Sequence, residues 1–309
     1  MSYFRIGSLL LAIAAASLVP AQNQPDKKGK GGEKAPKGQQ PPKEEEQNIH
    51  EIMKAQFGGV AGPTVGKLST PGKGVIAEIK VPAGQTFVGQ PGAGKFALET
   101  KNDGGERWAG VIILSDDGFI VFEFDPVGYI KDADKEKIDA DGLMTSMKAG
   151  DEAMNKQRKA KGWPTISVDG WAEKPYYDPQ TKNLTWAINL KGESGRTSIN
   201  HEVRLLGREG VMRATLVCGP EDFAKAKQGV NPLLAGYTFT TGNTYAEWKP
   251  GDKVAAYGLA GLIAGGAVLG AAKMGWLAKF GKGIFVVIAA VIAGVWKVVT
   301  SIFGGGRRS

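Results

Sequence analysis

The chain has 309 residues, a single cysteine and a formal net charge of +8 at pH 7. A single cysteine excludes an internal disulfide bond. The excess positive charge lies at the two ends of the chain, because residues 48–249 contain 25 basic and 25 acidic residues. A nucleic-acid-binding domain is expected to carry a basic stripe of its own, so the sequence predicts no nucleic-acid partner.

The start of the chain predicts an exported protein. Residues 1–21 combine Arg5, an apolar core and small residues ending at Ala21, which is typical of a secretory signal peptide. An uncleaved amino-terminal anchor is the alternative. Residues 22–49 are rich in Lys, Gly, Pro, Gln and Glu. This composition buries too little apolar surface to offset chain entropy, so we predict a disordered linker.

Residues 50–250 predict one exported domain of the α+β class. Apolar runs bounded by turn residues indicate strands over 75–81, 108–115, 119–125, 165–172, 183–191, 197–206 and 211–218. The charged segment 131–161 is expected to hold two helices that meet at Gly150, and residues 220–227 a short helix. Because the turns between strands are short, we expect a mainly antiparallel sheet with helices on one face.

The end of the chain, residues 251–309, predicts a membrane anchor. It contains two apolar runs, 255–272 and 283–303, separated by a lysine-containing segment. The first run is just long enough for a helix to cross about 30 Å of hydrocarbon. We therefore expect a C-terminal transmembrane helical hairpin in a lipid bilayer. A single span formed by the second run is the alternative.

Glycines four residues apart occur twice in the first apolar run, as Gly261 with Gly265 and Gly266 with Gly270. Such pairs let two membrane helices approach closely. They predict tight helix packing within the hairpin or self-association between copies. The alternative is that these glycines are simply tolerated, since glycine is common in membrane helices.

Several motifs occur in a recognisable order. They are Gly128–Asp134, Asn155–Arg158, Asp169–Asp178, His201–Val211 and Phe239–Trp248. Together they resemble the bacterial DUF2167 family of predicted membrane-anchored proteins, from about residue 50 to the end of the chain. The resemblance implies placement at a membrane and brings no reaction or ligand with it. With the signal and the anchor, we expect the bacterial cytoplasmic (inner) membrane, with the domain on the periplasmic side.

Two segments resemble ligand-binding motifs, but each has the wrong residue type at a position that must bind a metal ion. Residues 89–95 fit the G-x4-G-K pattern of a phosphate loop, but Phe96 stands where Ser or Thr must reach magnesium. Aligning the acidic run 132–142 with a calcium loop puts Lys137 and Lys148 at positions that require carboxylates. We therefore expect no nucleotide, no metal and no cofactor.

His201 is the remaining catalytic candidate. Ser198 lies on the opposite face of the same predicted strand, and the chain has no G-x-S-x-G elbow. We therefore interpret His201 as an ordinary strand histidine and predict no catalytic residue. Cys218 ends an apolar run, which favours a buried thiol.

The candidate interaction patch consists of Trp171, Glu173, Tyr176, Tyr177 and Asp178. Clustered Trp and Tyr form recognition surfaces, and they also form ordinary cores. The favoured function is a non-enzymatic interaction or structural module that contacts an envelope protein or another copy of itself. The alternative is an unrecognised hydrolase or carbohydrate-acting enzyme, in which two acids such as Glu173 and Asp178 face one cleft.

Overall fold

The computed structural model describes residues 43–114, 118–132, 135 and 138–264, with side chains from residue 49 onward. Its helices are α1 (Lys43–Phe57), α2 (Gly92–Glu99), α3 (Ala140–Ala160), α4 (Phe223–Leu234) and α5 (Leu259–Ala264). Its strands are β1 (Val60–Ala61), β2 (Thr64–Thr70), β3 (Gly74–Val81), β4 (Thr86–Gly89), β5 (Trp108–Ile113), β6 (Gly118–Asp125), β7 (Ile166–Asp178), β8 (Asn183–Gly192), β9 (Thr197–Leu206), β10 (Val211–Cys218) and β11 (Tyr237–Phe239).

The strands form two antiparallel sheets. The main sheet has eight strands in the order β1-β4-β5-β6-β10-β9-β8-β7, and the second has three in the order β11-β3-β2. Each strand pairs with its neighbours in antiparallel register. The predicted α+β class with a mainly antiparallel sheet is confirmed.

The central strands are apolar on both faces because both faces of the main sheet are covered. On β5, Val111 and Ile113 pack in a cluster with α1 and α2, whereas Ile112 faces the second sheet and α4. Side chains alternate across a strand, so a strand covered on both faces is a continuous apolar run. The six residues of β5 are all buried, which follows from this arrangement.

The helices do not share one face, so that part of the prediction is wrong. α1, α2, α3 and α5 cover one face of the main sheet, whereas α4 packs on the other face beside the second sheet. Ala226, Val230 and Leu233 of α4 are buried in the same cluster as Leu68 and Ile79 of the second sheet. The physical reason is that each apolar face of the sheet needs its own cover.

Two helices differ from what the sequence predicts: α1 was not predicted, and α3 was predicted as two helices. α1 begins at Lys43, inside the segment expected to be a disordered linker, and it buries Ile49, Met53 and Phe57 on one face. That prediction is wrong for the helical residues, since apolar side chains four apart anchor them to the core. α3 runs unbroken through Gly150, because one glycine costs a helix only about 1 kcal/mol.

The folded contacts continue past residue 250. Leu259, Leu262 and Ile263 of α5 are buried against the main sheet, and Arg208 forms a two-pronged ion pair with Asp252 at 2.7 and 2.8 Å. None of the described helices is long and apolar enough to cross a bilayer.

Several predictions fall on residues outside the described ranges. These are the signal peptide 1–21, the linker up to residue 42, the apolar run from residue 265 to 272, the run 283–303, and Gly265, Gly266 and Gly270. Gly261 lies in α5, where an added Cβ would come within 2.6 Å of the Tyr257 ring.

Candidate functional site

The predicted interaction patch does not form one surface. Trp171 and Tyr177 pack into the apolar cluster under α3, and the Tyr177 hydroxyl donates a hydrogen bond to Asp132 at 2.9 Å. Tyr176, with 52% of its area exposed, lines a groove on the opposite face beside Asp178. The register of β7 shifts three times against β8, so its side chains do not keep a simple alternation.

The two acids proposed for a hydrolytic site are engaged separately. The Glu173 carboxylate accepts a hydrogen bond from Lys227 on α4. The Asp178 carboxylate accepts hydrogen bonds from the Gln180 backbone N–H and the Thr181 hydroxyl, each at 2.8 Å. Glu173 does not line the groove that Asp178 borders, so the described structure does not place the two acids in one cleft.

A different set of charged side chains meets on the face of the main sheet covered by α3 and α5. Glu123 of β6 lies opposite Arg213 of β10, and Arg213 lies opposite Arg204 of β9. Thr215 and Glu202 form the next pair along β10 and β9. Directly opposed residues share a face, so these side chains form one polar row between the two apolar clusters.

Glu202 and Arg204 form the buried centre of this row. Their side chains are 8% and 4% exposed, and the Arg204 guanidinium donates to the Glu202 carboxylate at 2.6 Å. The Thr215 hydroxyl donates to the same carboxylate oxygen at 2.8 Å. The guanidinium also stacks on the Trp186 ring, 4.5 Å from its centroid. This ion pair is therefore hydrogen-bonded and held against an aromatic face.

Both groups of the pair stay charged at neutral pH. Burial acts to raise the pKa of Glu202, but the guanidinium groups of Arg204 and Arg213 and two hydrogen bonds bring that pKa below its ordinary value. Burial lowers the pKa of Arg204 to about 10, against the opposing effect of Glu202. These carboxylate and guanidinium groups provide fixed charges and do not exchange protons near neutral pH.

Glu123 holds two arginines at the edge of the row. Its carboxylate oxygens lie 3.2 Å from Arg107 and 3.3 Å from Arg213. The Nε of Arg213 is buried and has no hydrogen-bond partner among the described residues. A buried guanidinium nitrogen without a partner is costly, so the hydrogen-bonding capacity of Arg213 is not fully used by the described residues.

A cavity of about 530 Å³ lies over the row. Its floor contains Asp125, Glu202, Arg204 and Arg213, and its roof is the segment 257–264, which contributes Tyr257, Leu262 and Ile263. Trp186, Ile188, Val211 and Met147 complete the apolar part of the wall. A concave site with apolar walls and a few polar groups is typical of a small-molecule site. We call it the charged cavity.

His201 takes the opposite direction from Glu202, as the strand alternation predicts. It is 2% exposed, both ring nitrogens lack a hydrogen-bond partner among the described residues, and its ring lies 5.9 Å from that of Phe223. Burial lowers the pKa of His201. Cys218 is buried, as predicted, and burial raises its pKa to about 12. Its thiol therefore stays protonated and unreactive at neutral pH.

The G-x4-G-K segment has a packing explanation. It joins β4 to α2, and an added Cβ at Gly92 would lie 1.9 Å from the backbone oxygen of Phe57. Glycine is required there because α1 and α2 approach closely. The acidic run has an equally local role, since the Asp139 carboxylate accepts a hydrogen bond from the Gly142 N–H at 3.1 Å and caps α3. Within the described residues, no three His, Cys, Asp or Glu side chains are grouped to hold a metal ion.

Two of the sequence motifs, Asn155–Arg158 and Phe239–Trp248, contain side chains that hydrogen-bond to the backbone of nearby loops and strands. The Asn155 side chain bonds both the N–H and the carbonyl of Ile166, at 2.9 and 2.8 Å. The Glu247 carboxylate accepts from the Gly242 and Thr244 N–H groups at 2.8 and 2.9 Å. These residues stabilise loops around the main sheet and do not line the charged cavity.

Sequence reasoning missed the charged cavity. Its signal was a set of charged residues at every second position of otherwise apolar strands, namely Glu123, Asp125, Glu202, Arg204 and Arg213. In each strand alone, alternating charged and apolar residues predict that the charged face is exposed to solvent. Only the pairing of β6, β10 and β9 brings the charges to one place under a roof.

The comparisons with known proteins identify a family. The sequence matches the family described as "Protein of unknown function (DUF2167)" over residues 66–296. The chain belongs to this family. No curated protein matches the chain.

Among solved structures, the chain is similar to the solution structure of cyanobacterial PsbP (CyanoP) from Synechocystis sp. PCC 6803. The two share 10% sequence identity over 58% of this chain and 95% of that one, with a TM-score of 0.35. A likeness of this size carries no conclusion about function.

Proposed function

We propose that this chain is a membrane-tethered protein of the bacterial envelope whose domain faces the periplasm and binds a small envelope component without chemical turnover. The charged cavity is the observation that carries the proposal. It combines ionised groups on the floor with an apolar roof and has room for a small molecule.

The chemistry of the floor favours binding over catalysis. A general acid or base needs a pKa near the working pH. The pKa of Glu202 lies below its ordinary value, and Arg204 and Arg213 remain cations. Such fixed charges orient and hold a ligand, and they do not take up or release protons near neutral pH.

The membrane tether is supported by the sequence at both ends of the domain. Residues 1–21 have the pattern of a signal peptide, and residues 283–303 form an apolar run long enough to cross a bilayer. The run 255–272 was the other predicted span, but Leu259, Leu262 and Ile263 within it are buried against the main sheet, so the single span formed by the second run is the arrangement that we propose. The roof segment of the charged cavity is the beginning of the first run. A bound ligand would therefore lie under the segment that precedes the proposed span in the sequence.

The binding function is tested by thermal unfolding of the full chain in a nonionic detergent, against a library of small envelope metabolites. A ligand of the folded state at a hundred times its Kd raises the Tm by roughly 5 °C or more. The rise is expected to disappear in Arg213→Gln and to persist in Lys67→Gln, which removes one exposed positive charge on β2. If no compound raises the Tm, or if the rise is unchanged in Arg213→Gln, the proposed cavity function is wrong.

The orientation is tested by cysteine labelling. Cys218 is buried and is the single cysteine of the chain, so the native protein serves as an unlabelled control. Asp169→Cys places a thiol at an exposed position of β7. A membrane-impermeant maleimide is expected to label this variant in intact spheroplasts. Labelling that occurs only after lysis would place the domain in the cytoplasm and contradict the proposal.

A further inference from the structure

The charges around the cavity are not all neutralised by their neighbours. Glu202 is paired with Arg204, and Glu123 lies between Arg107 and Arg213. One positive charge on the Arg213 side therefore has no carboxylate of its own. Asp125 lines the same cavity, and its carboxylate has no ion pair or hydrogen bond within the described part of the chain.

The unmatched groups lie close to each other without touching. Asp125 and Arg213 are diagonal neighbours on β6 and β10, because Val211 lies opposite Asp125 and Arg213 lies opposite Glu123. Such neighbours have Cβ atoms about 7 Å apart. They form no ion pair with one another, although ion pairs at 3.2 and 3.3 Å occur beside them. The cavity therefore presents a cation and an anion at a separation that leaves room for a ligand group between them.

Resting on the proposed function, we infer that the charged cavity binds a small zwitterion, whose oxyanion lies on Arg213 and whose primary ammonium lies on Asp125. Arg213 lines the cavity with its side chain 33% exposed, and its Nε has no partner among the described residues. A guanidinium can donate two parallel hydrogen bonds to an oxyanion. Tyr257 lines the same cavity, and a tyrosine hydroxyl can accept a hydrogen bond from an ammonium.

The apolar wall of the cavity indicates that the rest of the ligand is apolar. Trp186, Ile188, Leu262 and Ile263 form an apolar wall next to the charged floor. A zwitterion with a short apolar body would bury that body there and keep both charges paired. The free volume of about 530 Å³ exceeds what such a molecule fills.

Two sources supply this chemistry in a cell envelope. A free amino acid carries a carboxylate and an ammonium, and a phosphoethanolamine headgroup carries a phosphate and an ammonium. Both place the two charges a few ångströms apart. They differ in the oxyanion and in what the zwitterion is attached to, so binding measurements separate them.

The test is isothermal titration of the full chain in a maltoside detergent, because a zwitterionic detergent would itself belong to the ligand class. The first series is L-leucine, L-leucinamide and N-acetyl-L-leucine, which share one side chain and differ only in the charged ends. The second is glycerophosphoethanolamine and glycerophosphocholine, which differ in whether the cationic nitrogen can donate hydrogen bonds.

We expect L-leucine to bind at least tenfold tighter than both of its singly charged analogues, or glycerophosphoethanolamine at least tenfold tighter than glycerophosphocholine. The series that shows the preference identifies the source. Asp125→Asn is expected to abolish the preference for the ammonium group, and Arg213→Lys to weaken binding of the oxyanion. Asp169→Asn, the same change at an exposed strand position, is expected to bind as the native chain does.

Three outcomes overturn the inference. The first is a singly charged analogue that binds as tightly as L-leucine, with glycerophosphocholine as tight as glycerophosphoethanolamine. The second is an ammonium preference that survives Asp125→Asn in a variant with the native Tm. The third is no binding in either series. A library compound that still raises the Tm in an Arg213-dependent way would then leave the cavity function standing and reject the zwitterion alone.

Discussion

The two faces of β9 bury neighbouring residues in opposite ways. His201 lies under α4, with both ring nitrogens unpartnered among the described residues, whereas Glu202 lies under the roof segment, with two hydrogen bonds and a cavity beside it. Both side chains are less than a tenth exposed. The comparison shows that burial of a polar group does not by itself make a site.

His201 and Glu202 differ in charge state because the two faces of β9 surround them with different neighbours. Around His201 the neighbours are apolar or already paired, as Glu173 is with Lys227, so the imidazole stays neutral. Around Glu202 the neighbouring strands supply arginines at matching positions, so a carboxylate can be buried in its ionised form. The face with His201 is a packed core. The face with Glu202 carries paired charged side chains beside a cavity.

The largest expected effect comes from breaking the buried ion pair. Glu202→Gln leaves the Arg204 guanidinium buried without its counter-charge, and we expect it to lower the free energy of unfolding by about 3–5 kcal/mol. The measurement is urea unfolding of the full chain in detergent, followed by tryptophan fluorescence.

The matched control for that experiment removes both charges together. Glu202→Leu with Arg204→Met replaces the pair by apolar side chains of similar length, and we expect its stability to lie within about 1 kcal/mol of the native chain or above it. If Glu202→Gln were no less stable than the double variant, the pair would not be the buried, mutually dependent unit described above.

A smaller effect of opposite sign is expected on the face with His201. His201→Leu removes two unpartnered ring nitrogens, and we expect the free energy of unfolding to rise by about 1 kcal/mol at neutral pH. The same unfolding measurement checks it. A loss of stability would contradict the assignment of His201 as a buried imidazole without hydrogen-bond partners.

The pH dependence of the free energy of unfolding is expected to differ between the native chain and His201→Leu. The pKa of His201 is lowered in the folded state, so as the pH falls through about 6.5 the unfolded chain takes up a proton that the folded chain does not. Native stability should therefore decrease from about pH 7.5 to about pH 5.5. His201→Leu is expected to show a shallower decrease, because it removes the proton uptake of His201 on unfolding. Parallel pH profiles would contradict the assignment.

The smallest effect is expected at the half-exposed carboxylate of the cavity. Asp125→Asn breaks no ion pair or hydrogen bond among the described residues, so the free energy of unfolding should change by no more than about 0.5 kcal/mol. Thermal and urea unfolding of the variant beside Asp169→Asn measure it. A large loss would mean that Asp125 stabilises the fold, and it could not then serve as a separable ligand contact.

The sequence was informative where a local pattern decides the structure. Alternation and turn residues located the central strands to within a few residues. It was less informative where packing decides. The extension of β7 to Asp178 and the short β11 depend on partners elsewhere in the chain.

The candidate site shows the same limit. Residues 171–178 were predicted to form an interaction patch because they are a compact run of aromatic and acidic residues. The irregular register of β7 distributes those side chains over two faces of the sheet. Glu123, Asp125 and Arg213 looked unremarkable in their separate strands. No single stretch of sequence contains the charged cavity, because its lining residues run from Arg107 to Ile263.

The sequence by itself determined the family, the α+β class, the central strands and the apolar ends of the chain, because each depends on residue order or short-range periodicity. Only the tertiary structure decided which faces of the sheet are covered and which charges meet. The reason is that strand pairing joins residues distant in sequence, and the same alternating pattern of charge can face water or a cavity. Here, α5 packs over that pattern through Leu259, Leu262 and Ile263, and so turns a charged strip of sheet into the floor of a cavity.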